Sequence, residues 1–359
     1  MYYLISLITP VVVFLNLAIM PAKPVYQIIT KPAPVAAKGI YVTAYTAGTK
    51  SLREPLIDLI DRTELNAMVI DLKDSSGRVY FDSGVALAKE INAEVNRIPD
   101  LKQLIATLKE KNIYLIARIV VFQDPYLAEK KPEWALKSKS GGLWRDWKGL
   151  AWVDTTRQEI WQYNADLAKA AAKIGFDEIN FDYIRFPSDG AIRQIAFDFK
   201  EFPDEKTAKN ETVKRFFEFM NKELSFTPVY LSADLFGMTL WRSDGLGIGQ
   251  RFQDAVATFD YICPMVYPSH YPENFEGFAN PADFPYEIVF KSLEKGNPDI
   301  KNQRAKFRPW LQDFDLGADY DAAMVRKQIQ ATYDAGWDSW FIWNASNRYT
   351  ADAFNIEKK

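Results

Sequence analysis

Eight short apolar runs alternate with amphipathic segments between residues 39 and 346, and this alternation limits the fold more than any other feature of the chain. The runs are rich in β-branched and aromatic residues, which favour strands, and the segments between them have helical periodicity. Strands that alternate with helices over about 300 residues are typical of a (β/α)8 barrel. The sequence therefore predicts an α/β fold of this kind, a TIM barrel, with strands at 39–45, 67–74, 114–122, 178–187, 229–237, 261–269, 307–314 and 339–346.

A doubly wound open sheet is the main alternative, because it also alternates strands with helices. Its nucleotide-binding forms carry a glycine-rich turn, G-x-G-x-x-G, directly after the first strand. Here the first run continues into TAYTAGTKS, residues 43–51, which lacks that turn. The sequence therefore favours the barrel.

The composition excludes several classes of function. The net charge of −3 is unfavourable for binding nucleic acid. The chain has one cysteine, Cys263, and one histidine, His270, so it has neither a disulfide framework nor a zinc site built from histidines. No aspartate-rich loop has the spacing of a calcium site. We therefore expect no nucleic-acid partner, no bound metal and no cofactor.

The first 38 residues differ from the rest of the chain. Residues 4–20, LISLITPVVVFLNLAIM, form an uncharged apolar run about as long as a membrane span or the apolar part of a signal peptide. The next residues are rich in proline, alanine and lysine, which favours an extended linker. We expect a signal peptide or membrane anchor at 1–22, a linker at 23–38 and the barrel at 39–359. The protein would then be exported, and either secreted or held at the membrane of the cell envelope.

Charged residues occur where the predicted strands end. The stretch DEINFDYIRFP, residues 177–187, has the pattern of a buried strand, yet it carries Asp182 and Arg185. A buried charge is costly unless it is paired or has a function. In a barrel the inward-facing residues at the strand ends line the C-terminal mouth, where TIM-barrel enzymes have their sites. The predicted substrate contacts at this mouth are Asp71, Lys73, Arg118, Arg185, Tyr267, Trp310, Gln312, Asp313 and Trp343.

Two aspartates on neighbouring strands are the strongest catalytic candidates. Asp182 lies near the end of the fourth predicted strand and Asp234 near the end of the fifth. Cleavage of a glycosidic bond requires two carboxyl groups, one that protonates the leaving oxygen and one that attacks the sugar or activates water. Their pKa values must be separated for the two roles. Asp182 and Asp234 are therefore the predicted catalytic pair.

Six segments carry a family resemblance: KGIYVTAYTAG, NAMVIDLKDSSGRVYFDS, GFDEINFDYIRFPSDG, LSADLFGMT, YICPMVYPSHY and RPWLQDF. Together they resemble a bacterial family of glycosyl hydrolases with a TIM-barrel fold, catalogued as a domain of unknown function. The resemblance runs from about residue 38 to about residue 350. It implies glycosidase-type activity on a carbohydrate substrate, such as a cell-wall or extracellular polysaccharide, with a signal or membrane anchor ahead of the barrel.

Comparison with two better-known groups of barrels implies roles for single residues. Chitinase-like barrels carry D-x-x-D-x-D-x-E on the fourth strand, and the final glutamate donates the proton. Here DEINFDYI has Ile184 at that position, so chitinase-type cleavage is rejected. The pattern is more similar to α-amylase-like barrels, which implies Asp182 as nucleophile or base, Asp234 as general acid and Asp313 as a supporting carboxylate.

The stereochemical outcome stays open at this point. The fifth-strand acid of α-amylase-like barrels is usually glutamate, and Asp234 is one methylene shorter. A wider gap between the two carboxyl groups would favour inversion over retention.

Several tryptophans suit a sugar ligand, because the apolar face of a sugar packs well on an indole ring. Trp343, in SWFIWNAS, resembles the aromatic floor of many sugar-cleaving barrels, with a plain core role as the alternative. Trp144, Trp147 and Trp152 follow the third strand, where they either extend a glycan groove or anchor that segment.

Two other functions are compatible with the sequence. A carbohydrate-binding barrel without catalysis would keep the tryptophans and would not need an acid at position 184. A Schiff-base lyase or aldolase would use Lys73 as its nucleophile. Asp71 and Asp74 lie close to Lys73 in sequence and would keep it charged, so the lyase is the weaker alternative.

Overall fold

Parallel strands close into a barrel in the computed structural model, which describes residues 31–357. The strands are β1 (Lys38–Val42), β2 (Ala67–Lys73), β3 (Tyr114–Val120), β4 (Glu178–Asp182), β5 (Tyr230–Phe236), β6 (Tyr261–Met265), β7 (Lys306–Phe307), β8 (Trp310–Gln312) and β9 (Trp340–Trp343). Their order is β5-β4-β3-β2-β1-β9-β8-β6-β7, and pairing of β5 with β6 closes the ring.

The seventh barrel strand is divided into β7 and β8, which both pair with β6. Pro309 lies between the two pieces and has no N–H group to donate to the neighbouring strand. Counted as one strand, β7 and β8 complete an eight-stranded parallel barrel. The predicted (β/α)8 fold is therefore confirmed.

Helices surround the barrel at the predicted positions. The α-helices of the described residues are α1 (Ala44–Gly48), α2 (Lys50–Arg62), α3 (Ala86–Glu90), α4 (Leu101–Glu110), α5 (Pro125–Lys130), α6 (Gln158–Ile174), α7 (Glu205–Leu224), α8 (Phe252–Val256), α9 (Pro285–Ile300) and α10 (Ala322–Asp334). α6 illustrates the local causes: its apolar residues, such as Ile160 and Leu167, form a buried face, and Gly175 ends the helix with φ 114°.

Two apolar layers form the core. On β3, Tyr114 and Ile116 belong to the cluster inside the barrel, whereas Leu115 and Ala117 belong to the cluster between strands and helices. This alternation follows from the two-residue period of a strand. Arg118 continues the inward series and so reaches the barrel mouth.

The N-terminal end of the barrel is closed by a buried ion pair and by the chain that precedes β1. Arg308 and Glu178 pair with no exposed side-chain surface. Arg308 Nη2 also donates to the Val35 carbonyl at 2.8 Å, and the Trp340 N–H donates to the Ala37 carbonyl at 2.9 Å. Residues 31–37, the last part of the predicted linker, therefore lie across this end of the barrel.

The apolar run at residues 4–20 and most of the predicted linker lie outside the described residues. Within residues 31–357, no helix combines the length and the apolar character that crossing a membrane requires.

Candidate active site

A cavity of about 380 Å³ opens at the C-terminal end of the barrel. Its size lies in the range of small-molecule pockets. Six strands each contribute at least one side chain to its wall, among them Arg118, Asp182, Asp234, Met265, Trp310 and Trp343. The structure thus brings the predicted catalytic pair and several predicted substrate contacts into one cavity.

Asp182 is held beside a buried cation. Arg118 Nη2 lies 2.5 Å from Asp182 Oδ2, and Arg118 Nη1 lies 2.6 Å from Asp71 Oδ1. The Tyr41 hydroxyl donates to the other oxygen of Asp71 at 2.5 Å. Burial opposes ionisation of Arg118, but the Asp71 and Asp182 carboxylates outweigh it and raise the pKa of Arg118 well above its usual value. Arg118 therefore stays charged and compensates the negative charge of Asp182.

Asp234 has different surroundings. Its Oδ1 accepts hydrogen bonds from Asn180 Nδ2 and from Trp310 Nε1, both at 2.8 Å. Only 1% of Asp234 is exposed. This burial, reinforced by the neighbouring Asp182 carboxylate, raises the pKa of Asp234 well above its ordinary value. This shift favours the protonated form of Asp234, and because Oδ1 already accepts from two donors, Oδ2 is the better placed oxygen to carry the proton.

Strand register explains why the two groups meet. β4 and β5 pair with Phe181 opposite Ala233, and both of these residues pack in the helix-facing cluster. Asp182 and Asp234 are the next residues along the two strands, so they point the opposite way, into the barrel. Asn180 shares this inward direction and also donates to Ser232 Oγ at 3.1 Å. Alternation along two adjacent strands therefore places both carboxyl groups in the same cavity.

Aromatic rings form one side of the cavity. Trp343 stacks on Tyr41 with ring centroids 4.0 Å apart, and it meets Trp310 edge-on at 5.4 Å. Trp343 also borders two adjoining cavities, one lined by Tyr41 and Asp71 and the other by Tyr267 and Asp313. Trp343 thus lies where three neighbouring cavities adjoin.

Two further side chains of the wall are uncharged at neutral pH. Burial is the largest cause that raises the pKa of Tyr267 well above its ordinary value, and the nearby Asp182 carboxylate acts in the same direction. Burial lowers the pKa of His270, whose Nδ1 lies 3.0 Å from Ser269 Oγ. Tyr267 and His270 can therefore donate or accept hydrogen bonds in the cavity without adding charge.

Arg185 lines the same cavity, although it follows the end of β4. Its guanidinium carbon lies 4.8 to 5.1 Å from the ring centroids of Trp152, Tyr183 and Phe236. Tyr183, between Asp182 and Arg185, has φ 52°, a conformation that is unusual for a residue with a bulky side chain. This bend turns the chain so that Arg185 reaches the cavity.

The prediction that Lys73 contacts the substrate is wrong. Its side chain has no exposed surface, and Nζ lies 2.8 Å from Asp124 Oδ2. The register of β2 against β3 shifts between Asp71 and Lys73, so that Lys73 pairs with Ile119 of the helix-facing layer. This β-bulge turns Lys73 away from the mouth, although Asp71 two residues earlier faces it.

Gln312 and Asp313 are also placed differently from the prediction. Gln312 has no exposed surface, accepts from Ser269 Oγ at 2.8 Å and donates to the Phe314 carbonyl. Asp313 accepts from the backbone and the hydroxyl of Thr350 at 2.8 and 2.7 Å, and it lines the adjoining cavity rather than that of the catalytic pair. Gln312 therefore positions a loop, and Asp313 does not support the pair directly.

Two tryptophans after β3 anchor the segment that follows this strand. Trp144 donates to the Ala191 carbonyl, and Trp152 donates to Asp146, each at 3.0 Å, so both anchor the segment. Trp147 is 83% exposed.

Some residues of the site were not predicted from the sequence. Asn180 lies two residues before Asp182 on β4, and Tyr41 of β1 belongs to the cluster inside the barrel. Both side chains therefore point inward, and strand periodicity could have identified them. The backbone bend at Tyr183 has no signal in the sequence. Gly237 is required for packing, because an added Cβ would lie 2.6 Å from the Tyr271 hydroxyl.

Fold and site together define the class of (β/α)8 barrels with paired carboxyl groups at the C-terminal mouth. Residues 39–349 match the family described as "Putative glycosyl hydrolase domain". The match covers most of the chain, so the chain belongs to this family. No protein of curated function matches it.

Several solved structures are similar to this chain, among them the following three. A hypothetical protein from Ruminiclostridium thermocellum is 37% identical, with 54% of this chain and 96% of that chain covered and a TM-score of 0.49. The PgaB (BpsB) glycoside hydrolase domain from Bordetella bronchiseptica is 14% identical, with 89% and 98% covered and a TM-score of 0.62. The α-galactosidase TtGalA from Thermus thermophilus, in complex with stachyose, is 14% identical, with 90% and 65% covered and a TM-score of 0.54. At this identity the last two show the barrel fold alone.

Metal ligands are not gathered in the described part of the chain. Within residues 31–357, no group of three or more His, Cys, Asp or Glu side chains is placed to hold a metal ion.

Proposed function

We propose that the protein is a glycoside hydrolase that cleaves O-glycosidic bonds of an oligosaccharide or polysaccharide with two carboxyl groups. Asp234 is the general acid, and Asp182 is the nucleophile or the base. The observation that carries this proposal is the asymmetry of the pair. Burial raises the pKa of Asp234 and so favours its protonated form, whereas Arg118 pairs with Asp182 in the same cavity.

The proposed reaction uses this asymmetry directly. Asp234 transfers its proton to the leaving glycosidic oxygen, and the bond from that oxygen to the anomeric carbon breaks. Asp182, as a carboxylate, either takes a proton from the water that attacks the anomeric carbon, or attacks that carbon itself. In the second case it forms a glycosyl ester, which water then cleaves while Asp234, now a carboxylate, takes the proton of that water. Arg118 fixes Asp182 through two of its nitrogens, since Nε lies 3.2 Å and Nη2 2.5 Å from the same oxygen. Holding the carboxylate in one orientation raises the rate, because little rearrangement is needed during the reaction.

The aromatic wall supports a sugar as the ligand. Trp343, whose indole is stacked on Tyr41, lines the main cavity and both adjoining cavities. Several adjoining cavities suit consecutive sugar units better than a single small metabolite.

The Schiff-base alternative has no support in the structure, because Lys73 has no exposed surface and pairs with Asp124. A barrel that binds carbohydrate without cleaving it remains the competing function, and the test must separate binding from hydrolysis.

The test is release of reducing ends from a panel of polysaccharides by the purified protein. We expect Asp182→Asn and Asp234→Asn each to lower kcat by at least about 100-fold, as loss of acid or base catalysis does. Asp260→Asn is the matched control, because it removes a buried carboxylate that pairs with Arg304 at the opposite end of the barrel. Hydrolysis that survives in both Asp182→Asn and Asp234→Asn would exclude the pair, and binding without hydrolysis by the wild type would favour the competing function.

We also propose that residues 1–22 direct export and that the barrel acts at the cell envelope or outside the cell. The apolar run at residues 4–20 supports this proposal. Cell fractionation and sequencing of the mature N-terminus test it, and a cytosolic protein with an intact N-terminus would contradict it.

A further inference from the structure

Arg185 differs from the other buried arginines of the described chain. Each of the other three forms an ion pair with carboxylate groups: Arg53 with Asp100, Arg118 with Asp71 and Asp182, and Arg308 with Glu178. Arg185 is only 7% exposed, yet no carboxylate oxygen within residues 31–357 lies within 4 Å of its guanidinium nitrogens. A buried cation without a partner is expensive, so such a group points to a ligand.

The surroundings of Arg185 leave most of its donors unused. Nη1 donates to the Phe186 carbonyl at 3.1 Å. The other close neighbours are the rings of Trp152, Tyr183 and Phe236, which attract the cation without accepting its in-plane N–H groups. A guanidinium has five N–H donors in one plane, arranged as a fork. The rings therefore hold the group in place, while donors remain for a ligand in the cavity that Arg185 lines.

The local contacts of Arg185, not the total charge of the cavity, favour an incoming anion at this position. Arg118 is already paired with two carboxylates, Asp71 and Asp182, and neither of these forms an ion pair with Arg185. Asp182, Asp189 and Asp146 act on Arg185 only over longer distances. Arg185 therefore supplies a positive charge that no group of the described chain neutralises by direct contact.

We propose that the sugar bound in this cavity carries a carboxylate, and that Arg185 binds it with two parallel hydrogen bonds. The substrate is thus an acidic glycan. This inference rests on the proposed glycosidase function and adds the substrate class to it.

A carboxylate fits better than the other candidate groups. A sugar hydroxyl would leave the charge of Arg185 uncompensated. A phosphate monoester carries about −1.5 to −2 charges at pH 7, which exceeds the single charge of one guanidinium. A carboxylate matches both the charge and the planar fork of arginine.

The test measures binding separately from hydrolysis. Oligosaccharides of a polyuronate are titrated calorimetrically into the Asp234→Asn variant, together with the same oligosaccharides after reduction of their carboxyl groups to neutral sugars. A second arm uses glycan fragments whose carboxylate belongs to an ether-linked lactyl group, again with and without carboxyl reduction. The arm that binds identifies the source of the carboxylate.

We expect the acidic form to bind about 10- to 100-fold more tightly than the neutral form in one arm, as for a charge-assisted bidentate pair. Adding Arg185→Gln removes this preference, and Arg185→Lys, which keeps the charge but loses the fork, removes part of it. Arg304→Gln is the matched control, because Arg304 is 58% exposed in its side chain and pairs with Asp260 at the opposite end of the barrel. Unfolding temperatures establish that the variants are folded.

Equal binding of acidic and neutral forms in both arms, or a preference that survives Arg185→Gln, overturns the inference. The proposed function fails in a different way: the wild type then binds acidic glycans through Arg185 and hydrolyses none of them. Hydrolysis of neutral glycans that Arg185→Gln leaves unchanged overturns only the acidic substrate class.

Discussion

Asp182 and Asp234 are the same residue type, and their surroundings give them different properties. A guanidinium lies beside Asp182, whereas two neutral N–H groups contact Asp234. Neutral donors stabilise a carboxylate less than a cation does, so burial dominates at Asp234. The division into acid and carboxylate therefore originates in the neighbours, which the sequence alone could not place.

The raised pKa of Asp234 predicts how stability changes with pH. The folded protein keeps a proton that the unfolded chain releases at about pH 3.9, so this contribution is complete below that pH and is lost as pH rises through the folded pKa. A difference of one pH unit between the folded and the unfolded pKa corresponds to about 1.4 kcal/mol of stability. Urea unfolding between pH 4 and 8 should show the wild type losing stability relative to Asp234→Asn. Parallel curves for the two proteins would contradict the assignment, since Asp71 and Asp313, whose pKa values are also raised by burial, remain in both.

The indole N–H of Trp310 also affects the pKa of Asp234. The indole hydrogen bond to Oδ1 favours the charged form of Asp234, so Trp310→Phe should raise the pKa of Asp234 further. A hydrogen bond worth about 1 kcal/mol corresponds to somewhat less than one pH unit. We expect the alkaline limb of the kcat/KM profile to move upward by about that amount. An unchanged limb would show that another group is the acid.

At the scale of elements, the register of β4 against β5 bears on the stereochemistry. Asp182 and Asp234 follow the pair Phe181 and Ala233, so they face each other across neighbouring strands about 4.8 Å apart. Side chains that run parallel from such strands place their carboxyl groups about 5 Å apart, which is the separation found in retaining glycosidases. Inverting glycosidases have a wider gap between the two carboxyl groups. We therefore expect the first product to keep its anomeric configuration, as measured by proton NMR during early turnover. Initial formation of the opposite anomer would show that the side chains splay apart and that a water lies between them.

The bulge in β2 makes Lys73 a structural residue. Replacing Lys73 by methionine leaves the buried Asp124 carboxylate without a cation, which should lower the free energy of unfolding by about 3–5 kcal/mol. The double variant Lys73→Met/Asp124→Asn should recover most of that loss, because no charge is then left unpaired and the amide oxygen can still accept from the Leu127 N–H at the start of α5. Urea unfolding of the three proteins measures this coupling. Trapping of a carbonyl compound on Lys73 by borohydride would contradict its burial.

Strand positions could be predicted from periodicity, whereas changes of phase within a strand could not. Each predicted strand overlaps an observed one, because β-branched runs between helical segments are strong signals. The same alternation places Asp182 and Asp234 on the inward face. Alternation gave the wrong position for Lys73, because one extra residue in β2 reverses the direction of its side chain. It also gave the wrong position for Asp313, because the contact with Thr350 joins residues that are distant in sequence.

At the scale of the whole molecule, the two ends of the barrel hold charged groups for different purposes. The C-terminal mouth holds Arg118 and Arg185 around an open cavity, as the arrangement of TIM-barrel enzymes requires. The N-terminal end holds Arg308 and Glu178 in a closed interior that residues 31–37 cover. The mouth has space for a ligand beside its charges, whereas this ion pair is fully enclosed, so function and stability are separated along the barrel axis.

Two buried arginines allow this separation to be tested with the same substitution. Arg308→Lys loses the planar fork that contacts Glu178, Ser339 Oγ and the Val35 carbonyl together, so we expect stability to fall by about 2–3 kcal/mol with kcat unchanged for the folded protein. Arg118→Lys loses the fork between Asp71 and Asp182, so we expect kcat to fall at least about 10-fold. Urea unfolding and kinetics on both variants measure the two effects. A large loss of kcat in Arg308→Lys at full folding would show that the closed end of the barrel controls the geometry of the mouth, and the proposed division of roles would then be wrong.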